Sequence, residues 1–263
     1  MARIIAAVDG SAVSRAVLRT AVTLAKLLGA DVEALHVGER AAPDIEQLAI
    51  EFGVPLRRLP GVPQEVIGGV LAGPDVLLGV LGARGAATGR RPAGRTALAL
   101  LQVVPRPIVV VPPDADGPLD GHLDCVLAPL DGSAASAHAV AESLRLFCAR
   151  GVDVVVLHVF DAATVPRFWD QAQHAQPVWE EEFRARYCDE ASVRVQLRSG
   201  VPGEHVVAVA AQEQADLIVL GWAQDLGAGR ARTVREALSG AAVPMLLVPL
   251  GEPTDPAEAG DSG

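Results

Sequence analysis

The sequence predicts an α/β protein built twice over, each copy a doubly wound, mainly parallel five-stranded sheet. Two observations carry this. Segments return in the same order along the chain, and within each copy apolar runs of strand length alternate with helical patterns. Strands apolar throughout and separated by helices imply a parallel sheet covered on both faces.

The repeat is direct. RIIAAVDGSAVSRA from Arg3 returns as CVLAPLDGSAASAH from Cys125, so that Asp9-Gly10-Ser11 and Asp131-Gly132-Ser133 stand 122 positions apart. ALHV ending at Val37 returns as VLHV ending at Val159 with the same offset. PGVPQEV around Gly61 pairs with SGVPGEH around Gly200, and Leu81-Gly82 with Leu220-Gly221, now 139 apart. PIVVVPP from Pro107 pairs with PMLLVPL from Pro244 at an offset of 137. The shift places 17 extra residues in the second copy between its second strand and third helix. Expected boundaries are a first domain at 1–113, a linker at 114–122, a second domain at 123–250 and an acidic, disordered tail at 251–263. DADGPLDGH supplies the Gly- and Pro-rich linker, and GEPTDPAEAGDSG lacks apolar periodicity.

In copy one, Arg3 to Val8 is a β-rich run. Val17/Leu18, Ala21, Leu24/Ala25 and Leu28 then recur at helical spacing, and Gly29 stops the helix. Val32 to Val37, Leu56 to Leu59, Asp75 to Leu81 and Ile108 to Val111 complete five strands. Copy two repeats them at Cys125 to Leu130, Val154 to Phe160, Val193 to Leu197, Leu217 to Leu220 and Met245 to Val248. Right-handed crossovers make each copy a Rossmann-like sheet, whose ligands bind beyond the carboxyl ends of the strands.

The chain has 263 residues, 50% hydrophobic and 21% charged, which is enough for two packed cores. A formal net charge of −10 argues against nucleic acid or anionic membrane as a partner. Cys125, Cys148 and Cys188 are odd in number and far apart, as reduced thiols would be. No apolar run approaches the ~20 residues of a membrane span, and the start lacks a signal-peptide pattern. The expectation is a cytoplasmic protein.

Against this acidic background, Gly82 to Thr96 (GARGAATGRRPAGRT) holds four arginines, Arg84, Arg90, Arg91 and Arg95. It follows the fourth strand and leads into a helix. Glycines admit close backbone approach, and a helix N-terminus with arginines favours phosphate. The spacing Gly82-x2-Gly85-x8-Gly94-Arg95-Thr96 is neither a Walker A loop nor GxGxxG after a first strand. On the residues alone, a phosphate site and a solvated Gly/Arg surface loop both stand. Asp9 and Asp131 likewise have two readings, as ligand contacts or as carboxylates that stabilise the strand-to-helix turn. Ser11, His36 and Asp9 do not make a hydrolase triad, because no GxSxG elbow is present. His36 and His158 lie inside apolar strands and read as packed core histidines. The remaining histidines show no metal-ligand spacing.

As an ordered set occurring twice, DGS, LHV, the G-V-P segment, the glycine loop and the closing P-[IM]-[VL]-[VL]-V-P resemble the universal stress protein family in tandem form. The resemblance covers nearly all of 1–113 and 123–250. It implies adenine-nucleotide binding, ATP or ADP/AMP with accompanying Mg²⁺, in a stress-response module that is not an efficient enzyme. The ATP-binding branch carries G-x2-G-x9-G-[ST]; copy one is one residue shorter in the second gap and has Arg95 at the Ser/Thr position, with Thr96 next to it. By resemblance Gly82, Arg84, Gly85, Gly94, Arg95 and Thr96 would face the phosphates, Asp9 the adenosine and Val37 the adenine edge. In copy two the matching set is Asp131, Val159, Gly221, Arg232 and Thr233. There Gln224 replaces the second glycine and Ala231-Arg232 replaces Gly94-Arg95, so this copy is expected to be degenerate. A nucleotide-free interaction scaffold and a slow ATPase remain the alternatives. The resemblance also implies that fifth strands pair across a twofold axis, here within one chain as a pseudo-dimer, with pairing of two chains left open. The aromatic stretch Pro166 to Tyr187 is expected to pack on its own domain.

Overall fold

The computed structural model describes residues 2–39, 43–83, 93–113, 115, 121–162, 164–165, 176–187, 193–225 and 231–250. Arg84, Gly85, most of the expected linker and the acidic tail lie outside the described residues.

The first half runs β1 (Arg3–Ala7), α1 (Ser14–Leu28), β2 (Asp31–Val37), α2 (Pro43–Phe52), β3 (Leu56–Leu59), α3 (Pro63–Leu71), β4 (Val76–Gly82), α4 (Arg95–Val103) and β5 (Ile108–Val111). The second runs β6 (Cys125–Pro129), α5 (Ala134–Ala149), β7 (Asp153–Phe160), α6 (Gln176–Tyr187), β8 (Arg194–Ser199), α7 (Pro202–Gln212), β9 (Leu217–Trp222), α8 (Arg232–Gly240) and β10 (Met245–Pro249). The two sheets are not separate. They join into one ten-stranded sheet of order β3-β2-β1-β4-β5-β10-β9-β6-β7-β8. Every neighbouring pair is parallel except the seam, where Met245, Leu246 and Leu247 run antiparallel to Val110, Val109 and Ile108. The expected pairing of the fifth strands is therefore present.

Alternate residues of each strand feed two cores. Ile4 and Ala6 pack with α1 residues such as Val17 and Ala21, while Ile5 faces Leu71, Leu100 and Leu101 on α3 and α4. The same division recurs in the second half, with Val140, Leu144 and Phe147 of α5 on one side and Val206, Val209 and Ala237 of α7 and α8 on the other. A parallel sheet sandwiched in this way must be apolar on both faces, which explains runs such as IVVV in β5, buried at every position.

Between β7 and β8 the sequence suggested one continuous insertion. Its last part is α6, which holds the position in chain order that α2 holds in the first half, so the helix itself is no addition. Phe183 of α6 is buried, and its ring stacks on His158 at 4.8 Å between centroids. Trp179 packs against the same core. Of the aromatic stretch, the part in α6 thus packs on its own half, as expected.

Candidate functional site

In each half the chain winds outward from the first strand in one direction and returns to the fourth on its other side. The switch lies between β1 and β4, and between β6 and β9. Loops leaving adjacent strands in opposite directions open a crevice there. A cavity occupies each of the two positions.

The first cavity, about 320 Å³, is lined by Asp9, Val37, Gly82, Gly94, Arg95 and Thr96 over an apolar floor that includes Ile67, Leu81 and Leu100. Six of the eight residues expected for this site are brought together; the other two, Arg84 and Gly85, are not described. The Asp-Gly-Ser turn shapes one wall. Gly10 sits at φ 79°, in the left-handed region open to glycine. The Ser11 N–H donates to Asp9 Oδ1 at 3.0 Å, so the carboxylate does organise the turn, while still lining the cavity. His36 donates from Nδ1 to the Val8 carbonyl at 2.9 Å, which fixes the proton on that nitrogen and anchors the end of β1. This is the packed-histidine role the sequence suggested.

The opposite wall is the N-terminus of α4. Gly94 precedes the helix in extended backbone, φ −67° and ψ 162°, and no side chain caps it. Its N–H donates to Ala83 O at 2.6 Å, tying the helix start to the end of β4. The first turn carries no acidic residue. Uncapped N–H groups, an unopposed dipole and Arg95 together suit an anion.

The second cavity, about 550 Å³, is the larger, which the degenerate loop sequence did not anticipate. All five residues expected there, Asp131, Val159, Gly221, Arg232 and Thr233, line it. The turn is repeated: Gly132 has φ 81°, Ser133 N–H donates to Asp131 Oδ1 at 2.9 Å, and His158 Nδ1 donates to Leu130 O at 2.9 Å. The anion wall is repeated only in part: α8 also starts without a side-chain cap or an acid in its first turn, but its entry differs. Ala231, standing for Gly94, is forced to φ 50°. The Arg232 Nε lies 2.7 Å from Glu236 Oε1, one turn along α8. The carboxylates of Asp161 and Asp225 join Asp131 around the cavity, and Trp222 forms part of its wall, 4% exposed.

Glu236, Asp161 and Thr164 escaped the sequence reading, and Gln224 was read only in part. Glu236 was legible as the i+4 partner of Arg232. Asp161 and Thr164 form a local pair, with Thr164 N–H donating to Asp161 Oδ1 at 2.9 Å, a pattern open to D-x-x-T spacing. Gln224 was expected only to obstruct the loop. Instead it keeps a left-handed backbone, φ 56°, and turns its side chain to the other half, donating to Leu101 O at 3.1 Å and Val104 O at 2.7 Å.

A fused tandem of doubly wound units, each with a small-molecule crevice at its switch point, is the class that the fold and crevices define. The universal stress protein family model matches residues 1–56 and 123–249. The chain belongs to the universal stress protein family. It is 38% identical over 105 residues to a universal stress protein of Mycolicibacterium smegmatis, a match covering 39% of this chain and 33% of that protein. The chain thus spans about a third of the length of the curated relative it matches. Among solved structures it is similar to a universal stress protein from Archaeoglobus fulgidus, with a TM-score of 0.64, 18% identity, and coverage of 95% of this chain and 98% of that one. It is also similar to one described as a putative universal stress protein from Pseudomonas aeruginosa, with a TM-score of 0.68, 14% identity, and coverage of 94% and 92%.

Proposed function

We propose that the chain is an adenine-nucleotide-binding stress-response module that takes ATP, or ADP or AMP, in the first crevice. The observation that carries this is the convergence of Asp9, Val37, Gly82, Gly94, Arg95 and Thr96 on one cavity at the switch point. Adenine and ribose would lie over the Val37 and Asp9 side, and phosphates against the start of α4. Mg²⁺ would arrive with the nucleotide. The module is read as storing or sensing nucleotide, with slow hydrolysis as the alternative. The functional units are two domains, 1–113 and 123–250, joined by 114–122 and followed by a tail at 251–263. No helix among the described residues is long and apolar enough to cross a membrane; the location proposed is the cytoplasm.

The test begins with freshly purified protein, heat-denatured, its supernatant resolved by anion exchange against adenine nucleotides. About one nucleotide per chain is the expected yield. Gly94→Asp is the matched variant: its backbone suits aspartate, a good helix cap, yet a carboxylate would then occupy the phosphate position. It should stay folded and carry no nucleotide. If the unaltered protein also carries none and calorimetry with Mg²⁺ and ATP shows no binding, the scaffold reading replaces this one.

A further inference from the structure

One short helix joins the two crevices. The start of α4 supplies Gly94, Arg95, Thr96 and Ala97 to the lining of the first. Nine residues long, it ends at carbonyls, Leu101 O and Val104 O, that accept the Gln224 amide at 3.1 and 2.7 Å. Gln224 stands between Ala223 and Asp225, which with Trp222 line the second crevice. Its backbone is left-handed, φ 56°, a conformation that an L-residue adopts only when its surroundings hold it there. The bonds that hold its side chain end on α4. A second contact ties the other end of the helix. Gly94 N–H donates to Ala83 O at 2.6 Å. Ala83 in turn lines a small void at the seam with Leu238, Ala241 and Val243, at the end of α8 and just beyond it. Both ends of the first-crevice helix therefore meet the other half.

We propose that α4 is a strut that carries occupancy of the first crevice to the wall of the second. The inference rests on the reading of the first crevice as a nucleotide site. Helices open locally well below global unfolding. Each opening of α4 takes its last carbonyls away from the Gln224 amide and frees the strained loop. Phosphate at the helix N-terminus binds only the closed helix, and lowers the open population by the ratio of ligand concentration to Kd. The same ligand thus holds the Gln224 amide in place, and with it the wall formed by Trp222, Ala223 and Asp225. Ordering at one site is felt at the other without a large movement.

The test uses the full chain, isotope-labelled and freed of bound small molecules by unfolding and refolding. It is titrated with ATP and Mg²⁺ under NMR, with calorimetry on the same preparation. The Val104 amide, bonded to Leu100 O, reports on α4. The Gln224 side-chain amide and the Trp222 indole N–H report on the second wall, each identified by its loss in Gln224→Ala or Trp222→Phe. At about a hundred times Kd, solvent exchange at Val104 and Gln224 should slow together, by about tenfold to a hundredfold. The Trp222 signal should shift saturably over the same titration. In Gln224→Ala, and in Gln224→Gly where the left-handed backbone is unstrained, ATP should still slow Val104 while Trp222 no longer responds. In Gly94→Asp none of the probes should move. ATP that binds and slows Val104 but leaves Gln224 and Trp222 unchanged overturns the proposal and keeps the first site. A Trp222 response that survives in Gly94→Asp or in both Gln224 variants reaches that wall by another route, and overturns it too. Absence of ATP binding by calorimetry removes the first-site reading and this inference with it.

Discussion

Arg95 and Arg232 occupy equivalent positions in two copies of one crevice, and the residue four places on separates them: Ala99 in α4, Glu236 in α8. In the first half the guanidinium has no acid one turn away on its own helix, so Arg95→Ala should weaken ATP binding by about tenfold or more, the scale of a charge-assisted hydrogen bond. Adenosine binding and thermal stability should stay near those of the unaltered protein, because Arg95 is exposed. Calorimetry with both ligands checks this, and equal losses for both would remove Arg95 from the phosphate position. That Gly82, Gly94 and Arg95 border one crevice was legible in sequence, since loop spacing carries that information. The pairing of Arg232 with Glu236 was legible from its i,i+4 spacing. A second residue-scale effect concerns Cys125, buried at the start of β6. Burial, then the nearby Asp153 charge, pushes its thiol up from 9.0 to about 11. Unfolding therefore releases a proton between those values. The stabilisation is fully present below pH 9.0 and is lost as pH rises to about 11, on the order of 2 kcal/mol in all. Denaturant titrations across that range should show the decline, and Cys125→Val should flatten it.

At the scale of elements, α4 is held at both ends by chemistry from elsewhere. Its N-terminus is tied to β4 through Gly94 and faces the first crevice; its C-terminal carbonyls receive the Gln224 amide from the loop that borders the second. The last carbonyls of a helix have no partners within it, so the amide satisfies acceptors that would otherwise be left unpaired in a half-buried place. Gln224→Ala should lower stability by about 2 kcal/mol, through the two lost hydrogen bonds, while the left-handed backbone stays as it was. Gln224→Gly loses the same bonds but relieves the strain, and should recover about 1 kcal/mol of that. Urea unfolding of the three proteins gives the comparison; an alanine variant as stable as the original would show that the amide contributes nothing. Sequence reading placed Gln224 correctly in the loop and missed its role. Its partners lie more than a hundred positions away in the other copy, and no local periodicity encodes a contact of that kind.

For the whole molecule, the decisive contact is β5 on β10. Strand lengths, helix periods and the order of copies were all legible, because a parallel sheet covered on both faces writes its burial directly into continuous apolar runs. That the two sheets become one followed only from the family resemblance, since an edge strand looks the same in sequence whether its partner lies in the same chain or another. The internal pairing has a consequence for assembly. Once β5 and β10 satisfy each other, the open edges are β3 and β8 at the two far ends of the sheet. Each carries arginines, Arg57 and Arg58 in β3 and Arg194 and Arg198 in β8. Those of β3 are tied to acids on neighbouring elements, Arg58 to Glu46 at 2.9 Å and Arg57 to Glu33 at 3.6 Å. Charged side chains on an edge oppose strand addition by another molecule, and a net charge of −10 adds general repulsion. The chain is therefore expected to sediment as a monomer at micromolar concentration, with the fifth-strand contact already used within it. Arg57→Val/Arg58→Val converts β3 to an apolar LVVL edge and should bring concentration-dependent association. A dimer in the unaltered protein would mean that one of these outer edges, or a helical face, pairs despite its charges.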